Sequence, residues 1–275
     1  MKPTLTAAPK VRRSKPFVKW AGGKQALSAE FVSRFPAFKG TYYEPFVGGG
    51  STLFELAPRA AVVNDDNWWL IEAFLAIRDN WEAVAAALDS YPNTKADFLR
   101  IRQIDPGSRP RVERAAQLIY LNKTCFRGLF RVNRKGQFNV PYGNYRRRYY
   151  DPENLAAVSQ ALRSVEIRHG DFELGVDGAS QGDFLYFDPP YYRLGGHSDF
   201  NRYTRHQFRQ SDHHRLAAVC RELDRHSVGW MLSNSNTAFV RELFCGFRIV
   251  EVNSRREINL SSKDRNIKEL LIANW

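Results

Sequence analysis

The sequence predicts an α/β chain: one sheet with helices on both faces, interrupted by an inserted, mainly helical block. Two observations carry this. Short apolar runs that end in carboxylates recur at 60–67, 165–172 and 182–188, and later strand-like runs alternate with helical patterns. Between residues 68 and 150 the alternation stops, and helical spacing at 68–88 and 110–123 leads into a basic, loop-like segment at 124–150.

Taken in order, "TYYEPFVGGGSTLFEL" (41–56) reads as a short strand, a glycine loop and a helix start. "AAVVNDDN" (60–67) is a second strand ending in acids. Strands resume at "VEIRHGDF" (165–172) and "GDFLYFD" (182–188), followed by the polar loop "RLGGHSDFNRYTRH" (193–206). A helix at 212–225, a strand at 228–234, a short helix at 237–244 and strands at 247–252 and 269–274 complete the pattern. The expected organisation is a disordered basic arm (1–16), a main domain from 17–67 and 151–275, and an insertion at 68–150. The Trp68–Trp69 pair is expected to pack in the core at the root of that insertion. In open α/β sheets ligands bind beyond the carboxyl ends of the strands.

The charge is uneven. Residues 1–29 hold seven Lys/Arg and no acid, and residues 100–150 hold thirteen against only Asp105 and Glu113. Tyr120, Phe126, Phe130, Phe138, Tyr142, Tyr145, Tyr149 and Tyr150 interleave with the second set. Cations neutralise phosphates and rings stack on bases, so the pattern points to nucleic acid, with the arm lying along it. The first residues lack the apolar core of a signal peptide, and no apolar run is long enough to suggest a membrane span. Three scattered cysteines, Cys125, Cys220 and Cys245, argue against a disulfide framework or zinc site and fit a reducing cytoplasm. His197, His206, His213 and His214, read as lying in a polar loop and on an exposed helix, have no ligand-type spacing, so no metal is expected.

The loop Phe46–Gly50 departs from the dinucleotide pattern, with leucine at 53, and "GGK" (22–24) departs from the phosphate loop, with Val18 and Gln25 at its required positions. Asp65, at the end of the next strand, stands where an acid accepts hydrogen bonds from ribose hydroxyls; capping the following helix is the alternative. A ribose without a phosphate suits this set, as in S-adenosylmethionine. In "YFDPPYY" (186–192) an apolar strand stops at Asp188, before two prolines and two tyrosines.

"FVKWAGGK", "EPFVGGGS", "NDDN" and "DPPYY", in this order, resemble the Dam-type DNA adenine N6-methyltransferases. The resemblance extends to "LNKTCFRGLFRVNRKGQFNVPYGNY" (121–145) and "RREINLSSKDRNIKELL" (255–271) and covers nearly all of the chain after the arm. It implies a Rossmann-like methyltransferase sheet and a cytoplasmic, bacterial or phage-encoded enzyme that methylates a flipped adenine in double-stranded DNA. It implies a cofactor site of Trp20, Lys24, Phe46, Gly48, Gly50, Asp65 and Asp188, with Asp171 and Phe172 against the cofactor's adenine. Asp188 and the Pro189 carbonyl would accept hydrogen bonds from the adenine amine, Pro190 would stiffen the turn and Tyr191 would stack on the base.

The resemblance further implies that Lys19, Phe126, Arg127, Leu129, Arg131, Pro141, Asn144 and Tyr145 meet the DNA. Arg131 and Lys19 would read guanines, Leu129 a thymine methyl, and Phe126 the space left by the flipped base, giving GATC as the expected site. Arg127 departs from the neutral asparagine of many relatives, and either a phosphate or a flanking base would suit it. Methylation of cytosine N4, RNA or a protein glutamine is a rival reading, which Asp188 disfavours; a non-catalytic DNA-binding module is another. Maintenance methylation and protection against a paired nuclease both fit this sequence, and a monomer is expected.

Overall fold

The computed structural model describes residues 13–20, 28–133, 135–192, 208–255 and 266–275. Lys24, His197 and His206 lie outside them. The chain forms a seven-stranded sheet: β1 (Tyr42–Glu44), β2 (Ala61–Asp65), β3 (Val165–His169), β4 (Phe184–Phe187), β5 (Gly229–Ser235), β6 (Arg248–Arg255) and β7 (Asn266–Ala273). The order is β3-β2-β1-β4-β5-β7-β6, with β1 to β5 parallel and β7 antiparallel to both its neighbours.

Alternating side chains of a strand point to opposite faces, so a strand buried on both sides must be apolar throughout. Strand β4 meets this demand. Phe184 and Tyr186 join one core with Tyr42, Val63 and Phe74, while Leu185 and Phe187 join a second with Trp230, Leu216 and Leu270. The second core is closed by α7 (Gln210–Arg225) and α8 (Ala238–Leu243).

The first core continues into the 68–150 block through α3 (Trp68–Asp89), α4 (Lys95–Arg102) and α5 (Arg111–Thr124). Helix α3 packs against α5 and also against α6 (Pro152–Leu162) and β3. It breaks at Asn80 (φ −158°, ψ 71°), whose side chain accepts a bond from Ala83 N–H.

Helix α6 has no counterpart in the sequence reading, although its start carries a usable signal. Asp151 accepts a bond from Asn154 N–H, and Pro152 takes the first helical position, where a missing N–H costs nothing. At the basic end, Arg13 pairs with Glu55, and Lys15 exchanges two backbone bonds with the Asn154 side chain. The tryptophan pair divides. Trp69 is buried and donates to the Arg114 carbonyl (2.8 Å), whereas Trp68 is 40% exposed with the Arg114 guanidinium over its ring, so core packing holds for Trp69 alone. Among the described residues no helix is long and apolar enough to cross a membrane.

Candidate active site

The chain passes from β1 to β2 and β3 on one side, then crosses to β4 on the other, so the ends of β1 and β4 mark the point where strand order reverses. Crevices in open α/β sheets form there. The glycine loop leaves β1 and the Asp188 turn leaves β4, which brings the two motifs side by side.

In the glycine loop, Gly48 (φ +49°) and Gly50 (φ +75°) adopt backbone conformations that side chains disfavour. A Cβ on Gly48 would meet the Trp20 ring at 2.9 Å, so that indole walls the loop. Asp65 ties the loop to β2: Gly48 N–H donates to its Oδ2 (3.0 Å) and Asn67 N–H to its Oδ1 (2.9 Å). Capping of α3 falls to Asn67, which accepts from Leu70 N–H. The helix-capping alternative for Asp65 therefore fails. Burial pushes the Asp65 carboxyl up to about 6, against the lowering effect of its two N–H donors. Asn64 sews neighbouring strand ends together, donating to the carbonyls of Pro45 (3.2 Å) and Gly170 (2.9 Å).

Phe46 stacks on Phe172 (5.5 Å), and Phe208 meets both edge-on. Arg215 of α7 lies over Phe172 at 4.9 Å and binds both Asp171 oxygens (2.8 and 3.2 Å). The Asp171 carboxylate thus pairs with the arginine that covers Phe172.

At the end of β4, Ser233 Oγ of β5 donates to Asp188 Oδ1 (2.7 Å) and shares a bond with Tyr186 OH (3.0 Å). Tyr191 OH donates to Glu269 Oε2 of β7 (3.0 Å), and Tyr192 N–H to Asn234 Oδ1 (3.2 Å). Burial, with Asp188 and Glu269 nearby, drives the Tyr191 phenol well above its ordinary range. Burial likewise raises Glu44, which accepts from Tyr42 OH at the end of β1. Ser233, Asn234, Glu269 and Glu44 were absent from the sequence-derived site. Glu269 directly precedes the apolar run "LLIA", where an acid reads as an ordinary polar residue of a strand and gives no signal.

His213 is buried, not on an exposed face. It stands edge-on to Tyr192 and Phe208, and burial pushes its imidazole down to about 4. Among the described residues no His, Cys, Asp and Glu side chains group as metal ligands.

A second cluster gathers around the C-terminal end of α5. Lys19 is exposed and lies against Gly128, while Trp20 stacks on Phe130 at 4.9 Å. Phe126 N–H donates to the Pro141 carbonyl (2.8 Å), and Arg127 N–H to Tyr145 OH (2.9 Å). Arg127 has φ +59° and Asn144 φ +53°. Asparagine tolerates this conformation better than arginine, so Arg127 holds a strained backbone that an asparagine there would relieve. Arg131 Nε donates to Asn139 Oδ1 (2.8 Å), Leu129 is half-buried, and Phe126 is 44% exposed.

The interleaved aromatics correct the sequence reading. Tyr120, Phe130, Phe138 and Tyr150 are buried, and Tyr142, Tyr145 and Tyr149 are partly so. Only Phe126 of the eight is exposed. Most of these rings build the core under the basic face. The cations stay outside: Arg147 lies over Tyr145 and Arg148 over Tyr150. Burial, with Lys19 and Arg147 nearby, pushes the Lys123 amine down to about 8.

The chain is 39% identical over 271 residues to the Type II methyltransferase M1.LlaDCHI of Lactococcus lactis subsp. cremoris, covering 95% of each. It is 37% identical to the Type II methyltransferase M.MjaIII of Methanocaldococcus jannaschii, covering 95% of this chain and 99% of that one. It is 30% identical to a DNA adenine methylase of Haemophilus influenzae, covering 96% and 94%. The D12 class N6 adenine-specific DNA methyltransferase model matches residues 20–258. With a glycine loop and a D-P-P-Y turn meeting where strand order reverses, this chain belongs to the D12 class N6 adenine-specific DNA methyltransferases.

Proposed function

We propose that this chain transfers a methyl group from S-adenosylmethionine to N6 of an adenine flipped out of duplex DNA, in the sequence GATC. The observation that best supports the reaction is Asp188, which ends a buried strand beside the glycine loop and is braced by Ser233. The cleft suits a ligand with a ribose and an adenine and no phosphate. Gly48 and Gly50 let backbone approach it, Asp65 offers carboxylate acceptors, and Phe46 and Phe172 supply a flat wall beside Asp171. Trp20 and Lys24 complete that site in this reading. S-adenosylmethionine would bring an electrophilic methyl on a sulfonium.

The adenine amine is a poor nucleophile because its lone pair is delocalised into the ring. Asp188 and the Pro189 carbonyl accept its two hydrogens and favour the pyramidal nitrogen that can attack, an effect of position and charge. Pro190 keeps the carbonyl aimed. Tyr191 stacks on the base, its ring held by Glu269. Flipping itself costs a few kcal/mol, about the worth of one or two such contacts.

In the same reading residues 68–150 are the target-recognition domain. Arg131 and Lys19 read guanines, Leu129 meets a thymine methyl, and Phe126 fills the vacated space. Arg127, Pro141, Asn144 and Tyr145 line the duplex. The test is transfer of labelled methyl to unmethylated duplex DNA, followed by methylation-aware sequencing. Adenine methylated in GATC is the expected outcome. Another motif overturns the site assignment alone, whereas no transfer overturns the reaction.

A further inference from the structure

Asn122, on the last turn of α5, is completely buried and makes three bonds that join distant parts of the chain. Lys19 N–H donates to its Oδ1 (2.7 Å), and its Nδ2 donates to the carbonyls of Lys19 (2.8 Å) and Gly128 (3.0 Å). With the first two bonds the amide pairs with the Lys19 peptide much as a neighbouring strand would. The third grips the turn that presents Phe126 and Leu129.

The grip is close. A Cβ on Gly128 would fall 2.3 Å from Lys19 Cδ, so the lysine stem rests on the backbone of that turn. Lys19 and the 126–131 loop are therefore tied to one buried side chain and carried by one helix end. Unpaired buried amides are costly, so neither tie is released without the other group losing its partner.

We propose that Asn122 is a positioning residue for sequence discrimination, holding Lys19 and the Phe126–Arg131 loop at one fixed spacing. The inference rests on the reading above, in which both elements meet base edges. Two readers fixed to one another must both fit the duplex. If the tie is loosened, each can settle alone, and a mismatch under one no longer dislodges the other.

The test compares wild type, Asn122→Asp and Gly128→Ala for methyl transfer to duplexes carrying the preferred site and each of its single-base variants. Asn122→Asp keeps shape and turns both donated bonds into repulsions, while Gly128→Ala pushes directly on the Lys19 stem. Each should lower the preference for the correct pair under Lys19 by about tenfold, the scale of one specific base contact, with S-adenosylmethionine affinity unchanged. The loss from Asn122→Asp should vanish in a Lys19→Ala background, because its route runs through that lysine. If Asn122→Asp does not fold, Asn122→Ser, whose shorter side chain cannot make all three bonds, is scored by the same comparison. Equal loss of transfer on every duplex, with the preference intact, would overturn the proposal. The preferred site is taken from the wild-type methylation map. A wild-type motif other than GATC therefore refutes the GATC assignment while still scoring Asn122 on that motif.

Discussion

The turn at Asp188–Tyr191 and the loop at Phe126–Arg131 are both short and irregular, and both are held by side chains from elsewhere in the chain. The turn hangs from the sheet. Its strand is hydrogen-bonded to β1 and β5, and its tethers, Ser233 and Glu269, stand on strands of the same sheet. The loop hangs from one helix end, through Asn122, and is propped by Tyr145 against a residue with positive φ. A parallel sheet buried on both faces allows its strand ends little movement, which would suit the acceptor role proposed for Asp188. A loop on a helix end can change its side chains without disturbing that sheet. In the proposed reading, the chemistry sits on the sheet and the choice of DNA sequence on a loop that the sheet does not constrain.

Substitutions at four positions test this contrast. Asp188→Ala should reduce methyl transfer by about 10³-fold, at the upper end for loss of a preorganised polar contact, while melting temperature and DNA affinity stay near wild type. A variant that keeps a tenth of the turnover would show that this carboxylate is not the main acceptor. Ser233→Ala should slow single-turnover transfer by about ten- to a hundredfold, the worth of one hydrogen bond to a charged group, and Ser233→Thr should restore most of it. An unchanged rate would mean the sheet holds Asp188 without this brace.

Asp65→Asn should weaken S-adenosylmethionine binding by about tenfold, the lower end for a charge-assisted bond. The effect has a pH signature. Burial keeps the Asp65 carboxyl protonated until about pH 6, so the charged acceptor is present above that value and lost below it. Calorimetry should find wild-type affinity rising between pH 5 and pH 7, as expected for ionisation near that value, with the variant flat. A wild-type curve parallel to the variant's would remove Asp65 from the ribose. The smallest effect belongs to the loop: Arg127→Asn should stabilise the fold by at most about 1 kcal/mol in urea unfolding, by relieving the left-handed backbone. Destabilisation would show that the Arg127 guanidinium, 5.4 Å over the Phe126 ring, contributes more than the strain costs.

The sheet was legible because its strands are apolar runs stopped by acids, and a carboxylate at the end of such a run has few structural uses. Asp65 and Asp188 stood out for that reason. Helix α6 could have been read from Asp151-Pro152. The aromatics of 120–150 were misread because an irregular segment has no periodicity to separate its inner side from its outer one. Ser233, Glu269 and Asn122 were beyond reach for a different cause. Each is an ordinary polar residue in a regular element, and its partner lies 45, 78 or 103 positions away.

The sheet order β5-β7-β6 bears on how the enzyme is made. A ribosome delivers β6 before β7, yet β6 reaches the sheet only through β7, and β7 also brings Glu269 to Tyr191. The nascent chain can thus form its glycine loop and its D-P-P-Y turn while the anchor of that turn is still inside the exit tunnel. The turn gains its Glu269 tether only when β7 pairs with β5, and the same step carries β6 into the sheet.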